Sequence, residues 1–136
     1  MGLRLLTFNP NVKQVVERRL GGVPEIALID PVGYVDMIRL MRRACVILTD
    51  SGGIQEEGPA LGRPVLVMRD VTERPEALTT GAVKLVGTNS EVIEREVNRL
   101  LDDPQHYQAV ARPVFPYGDG SAASKIAAII ERTYGR

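Results

Sequence analysis

The sequence predicts an α/β fold, a parallel β-sheet with helices on both faces. Three observations carry the prediction. Short, β-branched apolar runs alternate along the chain with segments of helical period, and such alternation marks a sheet assembled from strand–helix–strand crossovers. Two of the runs, Cys45–Leu48 and Pro64–Met68, are almost continuously apolar, as strands covered on both faces are. The chain has 136 residues, 44% hydrophobic and 25% charged, the size and composition of one globular domain rather than of a disordered segment.

The elements follow in order. Leu3–Phe8 reads as a short strand. Asn9-Pro10-Asn11 supplies a turn and an N-cap, after which Val12, Val15, Val16 and Leu20 recur at helical spacing up to a stop at Gly21-Gly22. Ile26–Ile29 is a second strand. Met37, Leu40, Met41 and Ala44 fall at i, i+3, i+4 and i+7, giving an amphipathic helix over Tyr34–Ala44. The buried run Cys45–Leu48 leads into Thr49-Asp50-Ser51-Gly52-Gly53 and a helix over Ile54–Leu61, stopped by Gly62 with Pro64 beyond. Pro64–Met68 and Val83–Val86 are further strands. Ile93, Val97, Leu100 and Leu101 mark a helix ended by Asp102-Asp103-Pro104, and a Pro- and Gly-rich loop, Arg112–Gly120, precedes a last helix bearing Ala122, Ile126, Ile129 and Ile130.

Composition removes several function classes. Seventeen basic residues balance seventeen acidic ones, so no bulk charge draws the chain to nucleic acid or to an anionic membrane surface. No apolar run approaches the ~18–20 residues that span a bilayer, and Met1-Gly-Leu-Arg4 opens no signal peptide. A cytoplasmic protein is expected. One cysteine, Cys45, excludes an internal disulfide and any multi-cysteine metal site, and with one histidine, His106, a His/Cys zinc centre or a Ser–His–Asp triad would depend on one poorly placed residue. Neither a metal nor another cofactor is expected. Cys45, at the start of a buried strand, reads as a small core residue, and His106 as a surface or capping histidine.

In a parallel sheet, ligands bind where loops leave the carboxyl ends of the strands, near helix N-termini. That nominates Pro31–Gly33, Asp50–Gly53 and Arg69–Glu76. In Asp50-Ser51-Gly52-Gly53 the glycines allow close approach of a ligand to the backbone and permit positive φ. Ser51 adds a hydroxyl, and the free N–H groups of the first helical turn favour an anion. A capped helix start without any ligand accounts for the same four residues. Gln55-Glu56-Glu57 follows within two turns. Its carboxylates suit the helix dipole, and Glu57, one turn above Gly53, could also accept hydrogen bonds from a ribose diol. Arg74, its backbone fixed by Pro75, offers a bidentate fork to a phosphate, or belongs to a solvated loop of ion pairs. Tyr117-Gly-Asp-Gly120 reads as a turn with a satisfied tyrosine.

The run Leu48–Glu76 (LTDSGGIQEEGPALGRPVLVMRDVTERPE), with Asn9-Pro-Asn-Val12, Gly81-Ala-Val-Lys-Leu-Val-Gly87 and Pro116-Tyr-Gly-Asp-Gly120, resembles the non-hydrolysing bacterial UDP-N-acetylglucosamine 2-epimerases. The likeness extends from about Thr7 to the C-terminus. It implies a Rossmann-like sheet, the C-terminal and nucleotide-holding part of a two-domain GT-B architecture, so that residues 1–136 would be a single, partial UDP-binding domain whose N-terminal partner domain is absent. It further implies that Ser51, Gly52 and Gly53 hold the diphosphate with Arg74, that Glu57 holds the ribose hydroxyls, and that the segment around Tyr34–Met37, with Met37 as its site residue, lies beside uracil.

The family's reaction is an isomerisation: UDP is eliminated from UDP-GlcNAc to leave a 2-acetamidoglucal and is re-added to give UDP-ManNAc, for cell-envelope polysaccharides. The acid/base carboxylates and a catalytic histidine of the family precede any segment present here, so the resemblance assigns no catalytic residue to this chain and implies that, alone, it is incomplete and inactive. Thr7 stands where the family carries a histidine. The expected partners are UDP or a UDP-sugar and, through an exposed sheet edge, a second copy in a homodimer. Two alternatives stand beside this reading: a non-catalytic UDP-binding remnant, and the donor-binding half of a GT-B glycosyltransferase.

Overall fold

Parallel strand pairing organises the protein in each of two units, Met1–Leu40 and Met41–Arg136. The computed structural model describes residues 2–6 and 9–135; Thr7, Phe8 and the far end of the first expected strand lie outside the described residues.

In the first unit, β1 (Leu3–Leu6) pairs in parallel with β2 (Ile26–Ile29), in a register running from Leu3 opposite Ile26 to Leu6 opposite Ile29. Between them runs α1 (Pro10–Leu20). Asn9 caps it from extended backbone, its side chain accepting the Asn11 N–H at 3.0 Å, the geometry that satisfies an otherwise orphaned donor of the first turn. The next helix, α2 (Tyr34–Arg43), begins in this unit with Asp36 in its first turn and closes with Arg42 and Arg43 in its last, charges that suit the helix dipole at both ends.

The second unit holds the core. Its strands β3 (Ile47–Thr49), β4 (Val65–Val67) and β5 (Val83–Leu85) form a parallel sheet in that order, with Ile47, Val65 and Val83 in register. Central β4 is buried throughout, with Val65 at 1%, Leu66 at 3% and Val67 at 0% exposure. Alternation along the strand sends these residues to opposite faces. Val65 and Val67 pack with Val83, Ile47 and Leu85, and with Ala77 and Leu78 of α4 (Pro75–Leu78). Leu66 packs with Val86, with Val92, Ile93, Val97 and Leu100 of α5 (Ser90–Asp102), and with Tyr107 and Val110 of α6 (Pro104–Val110). Each such side chain removed from water contributes roughly 1.5–3 kcal/mol. The expected helices on both faces of a parallel sheet are therefore present here.

The helix α3 (Gly52–Ala60) lies against the Val65 face because Gly58 has no side chain. A Cβ there would stand 2.4 Å from Val65 Cγ2 and 3.3 Å from Ile47 Cδ1. Gly62, at φ +68°, ends that helix as a left-handed stop. The last helix, α7 (Ala122–Tyr134), buries no residue, and Ile126, Ile129 and Ile130 remain more than half exposed.

Four details depart from the sequence reading. The third strand starts at Ile47, not Cys45; Cys45 is exposed and Leu48 is 41% exposed, so this edge strand is only partly covered and Cys45 is no core residue. The helix expected from Ile54 begins two residues earlier, at Gly52. The helices α4 and α6, of four and seven residues, each begin at a proline inside stretches read as loop or polar segment. Proline is well suited to a first helical position, where its missing N–H costs nothing, and helices this short show no hydrophobic period.

Candidate functional site

The turn between β3 and α3 is built by its own backbone. Thr49 Oγ1 accepts the Ser51 N–H at 3.1 Å, and Ser51 takes the N-cap position without a side-chain cap. Gly52 and Gly53 are the first two helical residues and neither has positive φ. Their value is therefore space rather than left-handed backbone, which corrects one of the reasons for expecting glycine here. A Cβ on Gly53 would meet nothing within 4 Å. The first-turn N–H groups of α3 have no partners within the helix, and no side chain caps them from Ser51.

Arg74 comes to the same turn from the loop between β4 and α4. Its Nη2 lies 4.0 Å from where a Cβ on Gly52 would stand. Three contacts hold it. Nε donates to the Glu56 carboxylate in a short ion pair, the Arg74 N–H donates to Thr72 Oγ1 at 3.0 Å, and the Tyr117 hydroxyl donates to the Arg74 carbonyl at 3.1 Å. The hydrogen bond to the Glu56 carboxylate holds the guanidinium pKa above its ordinary value, so the charge is permanent. Burial pushes the Tyr117 phenol up, keeping its proton on as a donor. Tyr117 is thus the satisfied tyrosine of a turn in which Gly118 and Gly120 have positive φ.

The remaining charges shape the site. Glu73 places Oε1 3.1 Å from the Gly52 Cβ position, and its Oε2 accepts from Arg69 Nη1 at 3.4 Å. Its side chain is 55% exposed. Glu57 is half-buried one turn into α3 and joins no ion pair among the described residues, which leaves its oxygens open as acceptors. An open helix N-terminus, a fixed guanidinium and a free carboxylate one turn along can together hold an anion and a neighbouring pair of hydroxyls.

Of the sequence candidates, Ser51, Gly52, Gly53 and Arg74 come together, and Glu57 stands on the same helix one turn beyond Gly53. Met37 lies half-buried on α2 in the first unit. His106 sits in the first turn of α6, where its N–H donates to the Asp103 side chain at 2.9 Å. Sequence reasoning missed Glu56 as the partner of Arg74, eighteen residues away, and the buried Gln55. The one signal for Gln55 is its place at i relative to buried Gly58 and Pro59 at i+3 and i+4, a stripe whose glycine and proline hide its hydrophobic character. Among the described residues no group of three or more His, Cys, Asp or Glu could hold a metal ion, and no helix is long and apolar enough to cross a membrane.

Comparison with known proteins places these residues in context. The family model described as UDP-N-acetylglucosamine 2-epimerase matches residues 4–131. The UDP-N-acetylglucosamine 2-epimerase of Escherichia coli K12 is 59% identical over 119 residues, covering 88% of this chain and 32% of the relative. That of Campylobacter jejuni is 49% identical over 123 residues, 90% of this chain and 32% of the relative. The chain spans about a third of the length of the curated relatives it matches. The crystal structure of the Neisseria meningitidis UDP-GlcNAc 2-epimerase bound to UDP-GlcNAc superposes with TM-score 0.90 at 41% identity, covering 97% of this chain and 36% of that one. The S. aureus MnaA–UDP co-structure gives TM-score 0.87 at 40% identity, over 97% of this chain and 36% of that one.

Proposed function

Because the chain belongs to the UDP-N-acetylglucosamine 2-epimerase family, we propose that it supplies the UDP-holding part of an isomerase that interconverts UDP-GlcNAc and UDP-ManNAc. The observation that carries this reading is the approach of the Arg74 guanidinium to Gly52, at the open first turn of α3. The N–H groups at Ser51–Gly53 and the Arg74 fork hold the diphosphate, and Glu57 accepts from the ribose hydroxyls. The GT-B arrangement of the family puts the sugar between this part and a second domain, and family membership favours the epimerase over the glycosyltransferase alternative.

The reaction makes UDP a leaving group, so a fixed positive site at the diphosphate stabilises the charge that develops as the bond from the sugar C1 to the β-phosphate oxygen breaks. Holding the released UDP keeps it in place for re-addition. Removal and return of the proton at C2 need general acid and base groups, which the resemblance assigns to none of these 136 residues. Titration calorimetry with UDP, beside an assay of C2 proton exchange from UDP-GlcNAc into solvent, tests both halves. Binding heat at up to millimolar UDP without exchange is expected. No heat at that concentration would refute the binding site, and appreciable exchange would refute the assignment of acid/base chemistry elsewhere.

A further inference from the structure

Gln55 is the largest fully buried side chain among the described residues, at 0% exposure, and it is polar. Burying an amide costs free energy unless its groups are paired, and both of its ends are. Gln55 Nε2 donates to the Ser51 carbonyl at 3.3 Å, and Oε1 accepts the Thr72 hydroxyl at 2.6 Å. Thr72 Oγ1 in turn accepts the Arg74 N–H at 3.0 Å. The donors fix the direction of the chain: the single hydroxyl proton of Thr72 goes to Gln55, and a lone pair remains for Arg74. The carbonyl of the N-cap residue is thereby connected, through two side chains, to the backbone of the arginine that faces the same turn.

We propose that Gln55 and Thr72 are positioning residues that set the Arg74 guanidinium against the Ser51–Gly53 turn, acting on a diphosphate only through Arg74. The inference rests on the UDP-holding reading above. Its physical need is visible at Arg74, which precedes Pro75 at the start of α4, where the helical backbone is disfavoured for the residue before a proline. Here Thr72 holds the N–H while Tyr117 holds the carbonyl. A neutral amide also suits the place. A carboxylate at position 55 would set negative charge under the phosphate turn and would repel the Ser51 carbonyl.

The test uses Thr72→Val, which keeps the side chain's shape and removes only the hydroxyl, with Thr72→Ser as the conservative control. Two readouts are taken on variants shown to be folded by their unchanged far-ultraviolet circular dichroism. The first needs no ligand: the Arg74 Nε–Hε resonance, sharpened and shifted by the ion pair to Glu56, moves or broadens in Thr72→Val and keeps its position in Thr72→Ser. The second is UDP affinity. Thr72→Val weakens it by about 5- to 30-fold, the effect of losing one or two hydrogen bonds. In an Arg74→Ala background, the same change adds less than about twofold, because the route to the ligand is gone. An unmoved Arg74 resonance, or an equal loss in the Arg74→Ala background, would overturn the proposal. Should the parent chain fail to bind UDP while the resonance still responds to Thr72→Val, the positioning stands and the UDP-holding reading falls.

Discussion

The starts of α3 and α5 both follow a strand of the same parallel sheet, and they are finished in opposite ways. At α5, Asn89 accepts the N–H groups of Glu91 and Val92 at 2.9 and 3.2 Å, and Glu91 adds a negative charge to the first turn. At α3, Ser51 makes no side-chain cap, the first turn carries no acidic residue, and two glycines stand where side chains would shield the backbone. The first helix start is closed by the protein itself. The second is left for something else to close, and Arg74 stands beside it. What differs is therefore the finish of each helix start: one contributes stability, the other forgoes it at the proposed binding site.

Gly53→Ala is the sharpest way to break the comparison. The added methyl group meets nothing within 4 Å and needs no positive φ, so folding stability holds or rises by up to about 1 kcal/mol from helix propensity. The same methyl group occupies the space through which a phosphate reaches the first-turn N–H groups. UDP affinity falls by about tenfold or more, read by calorimetry beside a thermal melt. A variant that is more stable and still binds UDP normally would show that the openness of this turn has no use. The counterpart at the closed helix is Asn89→Ala. Loss of that cap costs about 1 kcal/mol of stability and leaves UDP affinity unchanged, as chemical denaturation and calorimetry would register. An affinity change there would tie the two helix starts together and dissolve the contrast.

Most of the order of elements can be read from the sequence, because strands such as β2 and β4 are apolar runs bounded by turn residues, and α1 and α5 carry clear helical periods and side-chain caps. What escapes is what periodicity cannot carry. The four residues of α4 and the seven of α6 complete one or two turns each. Cys45 belongs by composition to a buried run, yet the strand it precedes lies at the sheet's edge. The proposed site residues Ser51–Gly53, Glu57 and Arg74 are legible as a strand-to-helix turn and a proline-fixed arginine. The reason Arg74 points at that turn is not. Its ion pair with Glu56 and its tie to Gln55 through Thr72 join positions eighteen and seventeen residues apart in sequence, and only the packing of α3 on the sheet brings them together.

A smaller effect distinguishes how the two helices are fastened to their surroundings. The fastening of α3 to the loop after β4 is neutral, through Gln55 and Thr72. That of α5 is ionic: Glu96, nearly buried, accepts from Lys84 Nζ on β5 at 2.6 Å. The hydrogen bond from Lys84 is the main cause of a Glu96 carboxyl pKa below the ordinary glutamate value. A lowered folded value means that the unfolded chain takes up the proton first. The contribution is complete above the ordinary glutamate value of the unfolded chain and is lost as pH falls through the lower folded value. Lys84 is half exposed, so the contribution is a few tenths to about 1 kcal/mol. Urea unfolding at a series of pH values from neutral to acid should therefore show a loss of stability in acid that Glu96→Gln reduces by this amount. A Gln55→Leu variant, which removes the neutral fastening, keeps the full acid loss. If Glu96→Gln leaves the acid limb of the stability curve unaltered, the fastening of α5 is no more ionic than that of α3.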